Sequence, residues 1–115
     1  MGNKVEWDKV KGLVYEQIKT YLMFACSYEP NNELLRDAVH RFLTNVLLKP
    51  LTGVGALAAF EVKCGQDVNT EAVIGANSFK MEFWWKESDN HHWTIAEFTL
   101  APVGLKLVEK VDEED

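Results

Sequence analysis

The residues best suited to chemistry lie in one short stretch, AAFEVKCGQDVNTEA, over residues 58–72. A thiol (Cys64), a carboxylate (Asp67) and an amide (Asn69) follow an apolar run within six positions. A thiol beside an imidazole would make a nucleophile, and alternate acidic and amide side chains are typical of calcium loops. Asp67, Asn69 and Glu71 supply only half of such a loop, because its central glycine and its terminal glutamate are missing. The stretch therefore predicts neither calcium binding nor a complete catalytic pair.

Histidines are the other candidate ligands and bases. His91 and His92 are adjacent, and consecutive strand residues point to opposite faces, so the pair is poorly placed to share one ion. His40 stands apart in a predicted helix, and no H-E-x-x-H, C-x-x-C, G-x-S-x-G or glycine-rich phosphate loop is present. We therefore expect a protein that is not an enzyme, with no metal and no cofactor. Cys26 and Cys64 are predicted to be buried, reduced thiols.

Tryptophans mark a different kind of candidate site. Trp84, Trp85 and Trp93 cluster in the second half of the chain. Because neighbouring strand residues face opposite ways, one of the two adjacent tryptophans must point away from the core. Exposed tryptophan is enriched where protein partners bury it. The sequence thus predicts a contact surface at these three residues, with second-layer packing and a carbohydrate or peptide platform as the alternatives.

Composition limits the class of protein. A chain of 115 residues with 47% apolar and 26% charged residues is typical of one small globular domain. The formal charge of −6 argues against a nucleic-acid binder, which needs clustered lysine and arginine. No apolar run reaches the ~20 residues of a membrane span, so no membrane partner is expected. The N-terminus lacks the apolar segment of a signal peptide, and VDEED at residues 111–115 predicts a solvated acidic tail.

Two helices are predicted in the first half of the chain. Apolar residues recur at three- and four-residue spacing over residues 4–26, and Pro30 requires that helix to stop. The second helix is predicted over residues 33–48, with Asn31 or Asn32 as its N-cap and Lys49-Pro50 as its end. Its predicted apolar face comprises Leu34, Leu35, Ala38, Val39, Phe42, Leu43, Val46 and Leu47. The following Gly53 and Gly55 predict a loop.

After Gly55 the apolar period changes from 3.6 residues to 2. Three half-buried strands are predicted, over residues 58–64, 79–86 and 93–100, with the polar stretches 65–78 and 87–92 as turns. In the first two of these strands the inward-facing residues are Phe60, Val62, Cys64, Phe79, Met81, Phe83 and Trp85. The predicted fold class is α+β, with two N-terminal helices packed on a small antiparallel β-meander.

The C-terminal segment alternates again. Leu105, Leu107 and Val111 alternate with lysines beyond Pro102 and Gly104, a pattern of either a fourth strand or a detached arm. An extended segment beyond a small antiparallel sheet is the kind of element that adds to the open edge of a neighbour. We therefore divide the chain into an assembly domain over residues 1–103 and an extended arm with its acidic tail over residues 104–115.

The order of these signals resembles a known family. The chain carries Tyr28-Glu29-Pro30-Asn31, then Phe42-Leu43, Gly55-Ala56-Leu57, Phe60-x-Val62-x-Cys64, Asp67, Asn69-Thr70 and Ala96-Glu97-Phe98. This series, which runs from about residue 5 to residue 107, is similar to the C-terminal domain of contractile-tail sheath proteins of bacteriophages and related injection machines. Sheath proteins are usually several times longer. A lone copy of the domain resembles the baseplate sheath initiators, although their typical Glu-Pro-Arg step is not found after the second helix, and WWKESDNHHW departs from the family's proline-rich turn.

The resemblance implies a packing module located in the virion tail, and in the host cytoplasm during assembly. Its partners would be copies of itself or full-length sheath subunits, together with tail-tube or baseplate proteins. Neighbouring subunits in this family interlock by strand exchange. The resemblance then assigns the donated arm to Leu105, Leu107, Val108 and Val111, and the acceptor sheet to Phe60, Val62, Phe79, Met81, Phe83, Phe98 and Leu100. A small ligand- or carbohydrate-binding module that uses the tryptophans remains the alternative of a different class.

Overall fold

A computed structural model describes residues 5–87 and 92–112 and contains helices beside one four-stranded antiparallel sheet. The helical segments are α1 (Trp7–Cys26), α2 (Glu33–Phe42), a π-helical segment (Leu43–Leu48), α3 (Lys49–Gly53) and α4 (Glu71–Gly75). The strands are β1 (Ala59–Lys63), β2 (Phe79–Lys86), β3 (Trp93–Ala101) and β4 (Gly104–Asp112). Their spatial order is their chain order, a meander. The predicted α+β class, with helices mostly ahead of the sheet, is confirmed.

The first helix covers one face of the sheet. Ile18 and Leu22, one turn apart, have no exposed surface, and Tyr15 lies one turn before Ile18 with its ring edge-on to the ring of Phe98 at 5.7 Å. Ile18 and Leu22 keep the three- and four-residue apolar spacing that the sequence predicted. Tyr15 was not assigned to that stripe, and Leu13, which was, is 62% exposed. The helix ends where Tyr28 adopts a left-handed backbone conformation (φ 67°) just ahead of Pro30.

The second helix begins as expected but continues further than predicted. The Asn32 Oδ1 accepts a hydrogen bond from the Leu35 backbone N–H at 2.9 Å, so Asn32 is the N-cap. The predicted end at Lys49-Pro50 is wrong, because the chain stays helical to Gly53. The Lys49 N–H reaches back five residues to the Thr44 carbonyl. This wider π turn places Pro50 in the first turn of a new helix, where its missing N–H is tolerated.

The predicted apolar face of this helix was too wide. Val39, Leu43 and Leu48 are fully buried, whereas Leu34 and Val46 are 78% and 60% exposed. The spacing of five residues between Leu43 and Leu48 follows the π turn, which rotates later side chains away from the 3.6-residue register. Sequence spacing assumed a regular α-helix throughout and therefore assigned Val46 to the core.

The sheet presents one apolar face to α1. In the paired registers, Phe83 lies opposite Val62 on one side and Ala96 on the other, and Phe98 lies opposite Met81 and Leu107. Strand alternation thus places the predicted inward-facing residues of β2 on the helix-covered face, where Phe98 and Leu100 of β3 join them. The 65–78 stretch, predicted to be turns only, also contains α4, whose N-cap is Thr70.

The C-terminal segment is not a detached arm in this structure. Residues 104–112 form β4, which pairs with β3 from Ala101↔Gly104 to Trp93↔Asp112. The predicted extended arm is thus not confirmed, and the fourth-strand alternative describes the observed fold. The physical reason is burial, because Leu105 and Leu107 pack against the core when β4 lies beside β3. Residues 113–115 lie outside the described part of the chain.

We predict that Ile18→Ala destabilises the fold by about 3 kcal/mol, because it leaves a cavity at a fully buried position. The matched control on the same helix is Leu13→Ala, at a site that is 62% exposed, which should cost under about 0.5 kcal/mol. Urea unfolding followed by circular dichroism measures both. Equal losses would contradict the placement of α1 on the sheet.

Candidate functional site

The outer strand β4 is the element on which the predicted function depends. It is last in the strand order, so within the described residues its far edge has no strand partner. Leu105 and Leu107 are half-buried on the helix-covered face, while Val108 and Val111 are 41% and 55% exposed. Of the four predicted arm residues, two therefore dock the strand and two remain largely in solvent.

A polar contact also ties β4 to α1. Tyr15 Oη donates a hydrogen bond to Glu109 Oε2 at 2.6 Å, and Lys11 Nζ lies 2.9 Å from the same oxygen. Trp85 Nε1 donates to Tyr15 Oη at 2.9 Å, which orients the tyrosine proton towards Glu109. Sequence reasoning missed this contact, because Glu109 is separated from Tyr15 by 94 residues and nothing local pairs them.

The ionisation of this cluster reflects its surroundings. Burial, followed by the hydrogen bond to Glu109, raises the pKa of Tyr15 well above its usual range. For Glu109, partial burial acts to raise the pKa, but hydrogen bonds from Tyr15 and Lys11 and the charge of Lys11 outweigh it. The net pKa of Glu109 is lowered, so the carboxylate stays charged at neutral pH.

The predicted acceptor residues do not all lie at an edge. β2 and β3 are interior strands with both edges paired. Their side chains Phe79, Met81, Phe83, Phe98 and Leu100 lie on the helix-covered face and belong to the buried core. Backbone groups already paired within a sheet cannot bind another strand, so β3 could accept one only where its own β4 has left that edge. Phe60 and Val62 lie on β1, which is the other outer strand.

The three tryptophans separate to the two faces of the sheet. Trp85 is 6% exposed among the helices, so its assignment to a contact surface was wrong. Trp84 and Trp93 lie together on the other face, their ring centroids 6.4 Å apart. Lys63 Nζ lies 3.9 Å from the Trp84 ring centroid, and Lys86 Nζ lies 5.2 Å from that of Trp93. A sugar ring that stacked on the covered side of Trp84 would have to displace the lysine.

The stretch of candidate chemical residues, 58–72, is held in place by Asn69, which is completely buried. Its side-chain oxygen accepts from the Lys80 N–H and its nitrogen donates to the Lys80 carbonyl, both at 2.8 Å. The amide thereby acts as one more strand residue beside β2, beyond the end of β1. The same nitrogen donates to the Cys64 carbonyl at 2.8 Å, which holds the turn after β1 against the sheet.

Asn31, in the loop between α1 and α2, binds the Asn69 side chain, and these two residues together form a clamp. Its Nδ2 donates to Asn69 Oδ1 and to the Ser78 carbonyl, and its Oδ1 accepts from Arg36, each at 2.9 Å. The Pro30-Asn31 and Asn69-Thr70 steps, which carried part of the family resemblance, therefore meet in space. Their role in this structure is to hold two loops to the start of β2.

The candidate thiols are buried. Burial raises the pKa of Cys26 to about 12 and that of Cys64 to about 11. The charge of nearby Arg36 acts in the opposite direction on Cys64 but does not offset burial. The Cys64 thiol points at the Arg36 carbonyl, with its sulfur 3.4 Å from the oxygen. Both thiols therefore stay neutral, as the parity of Cys64 predicted for a core residue.

The histidines are not assembled with these thiols. His40 is exposed on α2, and His92 is exposed just ahead of β3. His91 lies outside the described residues. Over residues 5–87 and 92–112, no group of three or more His, Cys, Asp or Glu side chains is placed to hold a metal ion. No helix in these ranges is long and apolar enough to cross a bilayer.

Comparisons of the chain with protein-family models, with curated proteins and with solved structures found no match. The resemblance to sheath proteins therefore rests on the residues quoted in the sequence analysis.

We predict that Asn69→Ala costs about 3 kcal/mol of stability, because it leaves the Lys80 N–H and several carbonyls buried without partners. Gln66→Ala, an exposed position in the same loop, is the control and should be nearly neutral. Thermal unfolding of both variants measures the difference. A small effect at Asn69 would mean that water replaces the amide.

The thiols give a second test of the site. At pH 8 and in the folded state, we expect both cysteines to react with an aromatic disulfide reagent at least about a hundredfold more slowly than free cysteine, because only the thiolate attacks. In denaturing urea both should react at the rate of free cysteine. A rapid reaction of one thiol in the folded protein would contradict the burial of Cys26 and Cys64.

Proposed function

We propose that this protein is a structural assembly protein that links neighbouring subunits by exchange of β4. The observation that best supports this proposal is that β4 is an outer strand joined to β3 by only two residues, Pro102 and Val103. Moving β4 to the same place on a neighbour would remake the same backbone hydrogen bonds and the same leucine contacts. Exchange of an identical element is therefore a low-cost route to association.

The turn before β4 supports the proposal. Two-residue hairpins favour turns in which the first central residue has a positive φ, and proline cannot adopt one. Pro102 occupies that position, so the favoured hairpin turns are excluded and Gly104 takes a φ of 144° beside it. Val103 is 99% exposed, and a cleft of about 640 Å³ lies beside Ala101 and Pro102. The Pro102-Val103 connection can therefore straighten without losing core contacts of its own.

Repeated exchange would build an extended assembly. Each copy would donate β4 and accept that of another copy, which makes a head-to-tail interface that closes into rings or continues as a helix. Backbone pairing would persist while subunits rotate, because the flexing occurs in the connection and not in the sheet. These are the properties that a contractile-tail sheath requires, and they agree with the sheath-like residue order of the chain.

We therefore infer a tail protein of the virion, with copies of itself or full-length sheath subunits as partners and tail-tube or baseplate proteins as neighbours. A baseplate sheath initiator of the same fold is the related alternative. A ligand-binding platform is not proposed, because lysines lie over the rings of Trp84 and Trp93.

Two turn variants with opposite expected effects test strand exchange. Replacing Pro102-Val103 by Asn-Gly should favour closure within one chain and reduce oligomers, because Asn-Gly suits the preferred hairpin turn. Deleting Val103 should prevent closure in register and increase oligomers, because shortened hinges favour swapping. Light scattering after size-exclusion chromatography measures the mass of each, and electron micrographs of the wild type should show rings or tubes.

A monomeric mass for all three proteins at high concentration would contradict the proposal. So would oligomers of equal abundance in both turn variants, because association would then not depend on β4. Circular dichroism of each variant is the control that the sheet and helices are intact.

A further inference from the structure

We propose that Lys11, Tyr15 and Trp85 form a carboxylate socket that selects, by its acidic residue, the strand that occupies the outer place of the sheet. The ligand is an extended segment in which a glutamate is in phase with two leucines, as in Leu105-x-Leu107-x-Glu109. This inference rests on the proposed exchange of β4, since it concerns which chain supplies that strand.

The socket is built without any residue of β4. Lys11 and Tyr15 lie on α1, and Trp85 lies on β2. The Tyr15 ring is fixed edge-on against Phe83 and Phe98, at 6.3 and 5.7 Å between centroids. The socket therefore presents the same donors whether the incoming strand comes from its own chain or from a neighbour.

The donors converge on one acceptor. Trp85 Nε1 donates to Tyr15 Oη, so the phenol proton is directed outwards, and Glu109 Oε2 receives it at 2.6 Å. Lys11 Nζ contacts both carboxylate oxygens of Glu109, at 2.9 and 3.3 Å. A charged oxygen acceptor is the group that two such donors bind best, and a leucine or lysine there would leave Tyr15 without its acceptor.

The leucines by themselves do not determine the register of β4. A shift of two residues keeps the same side chains on the helix-covered face and places Leu107 opposite Leu100, where Leu105 now lies. That shift would put Glu109 opposite Phe98. Val111 would then lie opposite Ala96, the residue that Glu109 faces in the observed register. The carboxylate would move among apolar side chains and away from Lys11. The socket therefore determines the register as well as the identity of the strand.

The other outer strand does not carry this pattern. In β1 the acid Glu61 is exposed and has the opposite parity to Phe60 and Val62, which face the core. A β1 segment placed beside β3 would therefore direct its acid away from the socket. Within the described residues, β4 is the outer strand whose acid faces α1, so a second copy of this chain is the partner that the socket recognises.

A charge swap between two copies tests the inference. Lys11→Glu alone places two acids together, and Glu109→Lys alone places two lysines together, so each variant should lose stability. The double variant restores an opposite-charge pair within one chain and should recover at least half of the summed loss in melting temperature. A 1:1 mixture of the two single variants restores the pair only between unlike chains. That mixture should form mixed oligomers about tenfold more readily than either variant alone, the factor expected of one charged contact.

Native mass spectrometry of isotopically labelled variants distinguishes mixed from self-associated species. Losses that are purely additive in the double variant would overturn the socket. Mixed oligomers that form equally with every charge combination would overturn it too, while leaving strand exchange in place. Recovery in the double variant with no mixed oligomers would overturn strand exchange and the selection of partners with it.

A double-mutant cycle with smaller changes tests the same contact if a charge reversal prevents folding. Tyr15→Phe keeps the ring and removes the donor. If the Tyr15 hydroxyl recognises the charged Glu109 carboxylate, Glu109→Gln should lower the melting temperature less in the Tyr15→Phe background than in the wild type. Equal shifts in the two backgrounds would overturn the role of Tyr15.

Discussion

The burial of α1 on one face of the sheet is the interaction on which the rest of the structure depends. A sheet of four short strands is stable only when an apolar face is covered, and Ile18, Leu22 and Tyr15 provide that cover. Because α1 runs across β2 and β3, it also contacts the outer strand, through Glu109. The docking of β4 therefore depends on the same helix that forms the core.

One-sided coverage has consequences for the other face and for the edges. Over residues 5–87 and 92–112, no helix covers the other face, which combines Trp84 and Trp93 with lysines. Glu97 lies there between Lys80 and Lys110, within 3.6 Å of each. Such a face needs no second helix layer, because charged side chains shield the apolar ones. The edges differ, since β1 is short whereas β4 is long and carries open backbone groups. The asymmetry makes β4 the natural element for contacts between subunits.

Local pattern predicted several parts of the fold and failed at identifiable residues. Alternation located β2 and β3 almost to the residue. Residue type and position before Glu33 limited the N-cap to Asn31 or Asn32, and the structure has Asn32. Pro50 was misread as the end of a helix, because a π turn that absorbs a proline depends on the packing of Leu43 and Leu48 and has no local signature. Cys64 was correctly predicted to be buried, since strand parity carries that information.

The sequence by itself determined which residues can be buried and with what period, and hence the α+β class and the core side chains of each strand. It did not determine contacts between distant segments. The clamp of Asn31 and Asn69 spans 38 residues and the contact of Tyr15 with Glu109 spans 94, so only the folded chain brings these groups together. The place of residues 104–112 was likewise decided by tertiary structure, because alternation alone does not say which open edge a segment pairs with. Its position beside β3 depends on burial of Leu105 and Leu107 and on the donors that α1 and β2 hold towards Glu109.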